Sequence, residues 1–121
     1  MDRRKQTGRQ GEEIAAAFLA GKGYRLIQRN WHTQIGELDL VMEEGDTLVF
    51  VEVRTRRGQD FGSPEESITA AKQARLIELA QTYLQESNEI SRPWRIDVVG
   101  VLLKPGGVPH INHIENAVGW L

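Results

Sequence analysis

Two adjoining runs constrain the fold of this chain more than anything else in it. Gly36-Glu37-Leu38-Asp39-Leu40-Val41 and Leu48-Val49-Phe50-Val51-Glu52-Val53-Arg54 are rich in Val, Leu and Phe, and they read as β-strands. Glu44-Gly45-Asp46 between them reads as the turn of a hairpin. Both runs carry acids where a plain core strand would carry apolar residues. A buried carboxylate costs several kcal/mol unless it is paired, hydrogen-bonded or metal-bound. The hairpin brings Asp39 and Glu52 near each other, where their charges repel and shift each other's pKa. A divalent cation relieves that repulsion, because Mg²⁺ takes hard oxygen ligands, commonly one or two carboxylates plus substrate phosphate.

Composition narrows the classes. The chain has 121 residues and is expected to form a single domain over 1–121 with a real core. It has no cysteine, which removes disulfides, thiolate zinc sites and cysteine nucleophiles. The start, Met-Asp-Arg-Arg-Lys-Gln, does not resemble a secretory signal, and no apolar run is long enough to cross a bilayer. A cytoplasmic location without membrane attachment is expected. The net charge of −2 argues against a generally basic nucleic-acid binder, but distribution matters more than the sum. Arg3, Arg4, Lys5 and Arg9 cluster at the start, and Arg54, Arg56 and Arg57 close the second acidic strand.

The coarse order is α-β-β-β-α-β-β. Thr7-Gly8-Arg9-Gln10 fits a capping box and predicts that the first helix starts there, with residues 1–7 a flexible basic arm. Ile14, Ala15, Phe18 and Leu19 recur at helical spacing, and Gly21 and Gly23 end the helix. Strands are expected over 24–31, 36–43 and 47–54, then a loop from Arg56 to Pro64. A second helix starts at Ser67 or Thr69 with Ala70, Ala74, Ile77, Ala80 and Leu84, or near neighbours of these, on its apolar face. A strand over 96–103, interrupted by Asp97, and an edge strand over 110–114 complete the set. Strands in a run between helices predict an α/β mixed sheet with helices packed on it.

Residues two apart in a strand share a face, so Glu37 pairs with Asp39 and Glu52 with Arg54, leaving Leu38, Leu40, Val49, Val51 and Val53 opposite. Phosphodiester hydrolysis uses such a set: carboxylates hold a metal, and a cation stabilises charge on the phosphoryl oxygens. An acid–base ladder across exposed strands is the bland alternative.

Asp39 followed by Glu52-Val53-Arg54 resembles the signature of the PD-(D/E)xK nuclease superfamily. Gly11-Glu12, Ala15, Leu19, Gly23-Tyr24 and Lys72-Gln73 are similar to archaeal Holliday-junction resolvases. From Gly8 to about Val101 the chain resembles the YraN-like endonuclease family of bacteria. Residues 36–41 and 48–56, with Arg95-Ile96-Asp97-Val98-Val99, make that likeness close. The resemblance implies a restriction-endonuclease-like fold and metal-dependent cleavage of DNA at branched or junction structures. It also implies a homodimer, to which the apolar tail ending in Trp120-Leu121 would contribute. It assigns Mg²⁺ or Mn²⁺ to Asp39 and Glu52, an accessory metal or water-ligating role to Glu12, and scissile-phosphate contact to Arg54. Arg56, Arg57 and Gln73 would bind nucleic acid.

The departure is Arg54, where the signature has Lys. Arginine binds phosphate well but stays protonated, which weakens the case for water activation at this position. A nucleic-acid-binding module without catalysis and a protein-interaction domain of the same fold are the rival readings. Asp97 is expected to pair with Arg95 or Arg25 in a structural role. His110 and His113 point to opposite faces and do not suit a shared metal. His32 is expected in a turn, and Trp31 in the core.

Overall fold

The computed structural model describes residues 3–58 and 68–118. The elements are α1 (Arg3–Gly21), β1 (Arg25–Thr33), β2 (Gly36–Glu44), β3 (Thr47–Arg57), α2 (Ala70–Glu86), β4 (Trp94–Leu103) and β5 (His110–Ile114). The order is the expected one and the class is mixed α/β. All five strands lie in one sheet in chain order. β1, β2 and β3 form an antiparallel meander, β4 runs parallel to β3, and β5 is antiparallel to β4. The parallel step requires a crossover, and α2 lies within it. No helix among the described residues is long and apolar enough to cross a membrane.

The helices cover opposite faces of the sheet. Ala15, Ala16 and Leu19 of α1 pack on Leu40, Met42, Val49, Val51, Val99 and Val101. Leu76, Leu79, Ala80, Tyr83 and Leu84 of α2 pack on Leu38, Val41, Leu48, Phe50 and Ile96. A strand covered on both faces reads as a continuous apolar run, which is why Leu-Val-Phe-Val follows Thr47 in β3. In the hairpin, Glu44 pairs with Thr47, so Gly45-Asp46 is a two-residue loop. Gly45 has φ 58°, the left-handed conformation that such tight hairpin turns need.

Three local expectations are corrected. β1 runs on through His32, which pairs with Glu37 and does not sit in a turn. The first helix begins at Arg3, so from there on the basic arm expected over residues 1–7 is helical. Thr7 and Gln10 do not cap it; they tie it to β3. Arg57 Nε donates to Thr7 Oγ1 at 2.6 Å and Arg57 Nη2 to Gln10 Oε1 at 3.2 Å. The second helix is capped by Thr69, whose Oγ1 accepts the Lys72 N–H at 3.1 Å. Its buried stripe keeps Ala80 and Leu84 of the expected set, with Ile77 packed at the margin, but Ala70 and Ala74 are exposed and Leu76, Leu79 and Tyr83 are buried instead. The larger apolar side chains remove more surface from water and take the core face. Ser67, most of the loop expected up to Pro64, and Trp120-Leu121 lie outside the described residues.

Asp97 is fully buried and answered from three directions. Arg95 Nε donates to Oδ1 at 2.9 Å, His113 Nε2 lies 2.8 Å from Oδ2, and the Asn116 N–H donates to Oδ1 at 2.9 Å. Burial works against the charge on Arg95, but its bonds to Asp97 and Glu44 raise its pKa still further. Arg25 pairs instead with Glu43. Asp97 is thus the buried acid that fastens β5 and the chain after it to β4, a structural role as expected. His110 is exposed while the His113 side chain is almost wholly buried. Trp31 is half-buried, edge-on to Tyr83 with centroids 5.3 Å apart.

Candidate active site

The ladder between β2 and β3 runs from Glu44–Thr47 to Leu40–Val51 and stops. Beyond it β2 stays with β1, through Leu38–Trp31 to Gly36–Thr33, while β3 stays with β4 as far as Arg57–Leu103. The sheet splits between its second and third strands, and Asp39 and Glu52 are the first residues past the last rung. There the Val53 N–H donates to Asp39 Oδ2 at 2.8 Å. The alternation expected along β2 breaks at this point. Leu38 belongs to the α2-side cluster and Leu40 to the α1-side cluster, although two apart they would share a face in a regular strand.

The split opens a cleft of about 670 Å³. Glu12, Glu37, Asp39 and Glu52 line it, with Arg3, Arg4, Arg54, Arg56, Arg57 and Lys72 around them. Asp39 is pushed up to about 8, chiefly by burial and then by the negative charge of Glu52. The bond from Val53 pulls the other way, and Glu12 adds a smaller push upward. Glu52 is only 4% exposed. Arg54 Nη1 lies 3.5 Å and Lys72 Nζ 3.6 Å from its Oε2. Arg54 reaches Glu52 because it is two residues along the same strand, and Lys72 because it stands in the first turn of α2.

Glu12 reaches the cleft through a close approach of helix and sheet. A Cβ on Gly11 would fall 1.9 Å from Thr55 Oγ1, so only glycine lets α1 seat this near β3. The Glu12 carboxylate is then held by Asn30, whose Nδ2 donates to Oε1 at 3.0 Å. Asn30 occupies β1 between the Arg29–Leu40 and Trp31–Leu38 rungs, which places it across from Asp39. It has φ 49°, a left-handed backbone that Asn tolerates better than most residues.

The structure thus brings Asp39, Glu52, Glu12, Arg54, Arg56 and Arg57 to one cleft. Gln73 is not among its lining residues; its amide Nε2 turns back to the Ile68 carbonyl at 3.4 Å. Successive helical residues point about 100° apart, so Lys72 takes the place expected of its neighbour. Lys72, Arg3 and Arg4 line the cleft although sequence reasoning left them out of the site, and it also missed Asn30, which holds Glu12. The Thr69 cap marks where α2 starts and so puts Lys72 in its first turn, whereas the backbone of Asn30 has no such marker.

Two buried or half-buried carboxylates with oxygen donors only are a chemically suitable seat for Mg²⁺ or Mn²⁺. Among the described residues no group of three or more His, Asp or Glu side chains is gathered closely enough to hold a metal. The pair Asp39–Glu52 is in place, and Glu12 stands by, engaged with Asn30.

Fold and site together define a small mixed α/β domain whose sheet splits around an acidic pair rimmed by cations. The family described as uncharacterised protein family UPF0102 matches residues 11–101, and the chain belongs to it. It is 48% identical over 117 residues to a UPF0102 protein of Clavibacter michiganensis subsp. michiganensis, covering 97% of this chain and 99% of that one. It is 49% identical over 117 residues to a UPF0102 protein of Pelotomaculum thermopropionicum, covering 96% and 98%.

Proposed function

We propose that the protein is a metal-dependent endonuclease of the PD-(D/E)xK, restriction-endonuclease-like kind, hydrolysing DNA phosphodiester bonds at branched or junction structures. The observation that carries this reading is the pairing of Asp39 with Glu52 at the split in the sheet, inside a cleft rimmed by cations. Asp39 and Glu52 would hold Mg²⁺ or Mn²⁺, and Glu12 would orient a water beside them. The metal, when bound, polarises the phosphate and lowers the pKa of its water. Arg54 and Lys72, both at Glu52, stabilise the negative charge that grows on the phosphoryl oxygens. Arg56 and Arg57 hold the flanking backbone. Symmetric cutting of a junction calls for a homodimer, acting on DNA in the cytoplasm.

The test is incubation of the purified protein with linear, single-stranded, flapped and four-way-junction DNA, with Mg²⁺, Mn²⁺ or chelator. Metal-dependent cleavage that favours branched substrates, and that Asp39→Asn and Glu52→Gln each abolish, is the expected result. DNA binding with metal bound but no cleavage of any substrate would leave a binding module. Titration calorimetry showing that both variants take up Mn²⁺ like the parent would remove the metal from this pair.

A further inference from the structure

A second cleft adjoins the first. It measures about 410 Å³ and is lined by Arg3, Arg57, Lys104 and the turn that carries Gly106 and Gly107. Arg3 and Arg57 line both clefts, so the two are continuous around the end of β3. Their charge differs in kind. The first mixes carboxylates with cations; the second has three cations and no carboxylate in its lining, in a chain of net charge −2. The bonds that hold Arg57 go to the neutral oxygens of Thr7 and Gln10, so they orient its guanidinium without cancelling its charge. The floor is main chain: the Gly58 N–H donates to the Leu103 carbonyl at 2.9 Å, joining the end of β3 to the end of β4. Opposite it, Gly106 at φ 66° shapes a tight turn that presents Lys104 and little side-chain bulk. An oriented arginine with two further cations beside a compact glycine turn suits a phosphate group.

We propose that this second cleft is a phosphate subsite for the strand whose neighbouring phosphodiester enters the acidic cleft, a proposal that rests on the endonuclease reading. The strand then leaves the acidic pair past Arg57 and Arg3 toward Lys104, on the side of the molecule where β3 and β4 end. The polarity is sensible, since the carboxylates at the split repel phosphate unless a metal is present, while the second cleft attracts it at all times. It supplies standing affinity, and the first cleft supplies chemistry.

Two measurements on the full chain test this. In the first, inorganic phosphate is titrated against ¹⁵N-labelled protein. Saturable shifts of the Gly58, Gly106 and Gly107 amides are expected, lost in Lys104→Ala. In the second, the affinity for a labelled junction DNA is followed against salt. Lys104→Ala should lower the slope of log K against log salt by about one, the loss of one phosphate contact. Lys104 is an exposed turn residue, and circular dichroism will show that the variant is folded. Amides untouched by phosphate would overturn the subsite. So would an unchanged slope in Lys104→Ala while Arg56→Ala lowers it, an outcome that leaves the endonuclease reading standing. Phosphate binding at the turn with no salt-dependent DNA affinity in the parent would overturn both, leaving a site for a free anion.

Discussion

Raising the pH should weaken the metal-free protein, and Asp39 sets how far. In the unfolded chain its carboxyl loses the proton near 3.8; in the cleft it keeps it to about 8. Between those values the folded state binds one more proton than the unfolded state, so stability falls as pH rises. Below the lower value Asp39 has no effect, and above the upper one the loss is complete. Each unit is worth about 1.4 kcal/mol, so roughly four units set a ceiling of about 6 kcal/mol. Asp39 is half-buried rather than sealed, and water at the cleft mouth screens part of this, leaving about 2–4 kcal/mol. Asp39→Asn removes the titration yet keeps an oxygen to accept the Val53 N–H. Urea unfolding of parent and variant at pH 4 and pH 8.5 without metal measures the difference. The advantage of the variant should grow by that 2–4 kcal/mol across the window. Parallel stabilities at both pH values would refute the idea that burial and Glu52 hold a proton on Asp39. By the same linkage, a metal held by Asp39 and Glu52 as proposed would have to displace that proton, so Mn²⁺ affinity should climb with pH until about 8.

Three further outcomes follow from the packing and charge around the cleft. Gly11→Ala should destabilise by about 1–2 kcal/mol in urea unfolding, since overpacking against Thr55 costs up to about 3 and helix propensity returns about 1; a more stable variant would mean that α1 is not seated this close. Asp97→Ala should cost about 2–4 kcal/mol by the same measurement, because Arg95, His113 and the Asn116 N–H all lose their buried acceptor while Arg95 keeps Glu44; a loss under 1 kcal/mol would show that the network holds nothing together. On the proposed endonuclease reading, Lys72 already places an amine on Glu52 and Arg54 would act as a fixed charge: Arg54→Lys should then cleave at or below the parent's single-turnover rate and Arg54→Ala should lose most of it, whereas a faster Lys variant with a new rising limb near neutral pH would assign proton transfer to this position.

Element order and the acidic pair were legible because local signals agreed with each other there. The β-branched and aromatic residues of β3, the Gly45 turn and the buried acids all point to one hairpin, and its register sets Asp39 beside Glu52. Where one local pattern serves two structures, reading failed. Thr7 and Gln10 have the spacing of a capping box, but the same side chains hold Arg57 across the sheet, and nothing in the spacing tells a cap from a tertiary tie. Gln73 and Lys72 are one residue apart, and the alanines of α2 leave its rotation undetermined until Leu76, Leu79 and Tyr83 find the core. Asn30 looks like any polar residue of an edge strand, because its left-handed backbone arises only when β1 meets the break in β2.

That break is also where fold and chemistry meet. Were the β2–β3 ladder to continue, the Val53 N–H would be claimed by backbone and two carboxylates would face each other across a closed sheet, an arrangement that burial and mutual repulsion both disfavour. Parting the strands one rung earlier hands the Val53 N–H to Asp39, admits Arg54 and Lys72 to Glu52, and lets Asn30 turn outward to Glu12. The same acids that make the pairing unfavourable therefore line the cleft that replaces it. The stability given up at the split returns in part through those cations, and a bound divalent ion would supply the rest. On this argument the protein should gain thermal stability with Mn²⁺ in proportion to what Asp39→Asn gains without it.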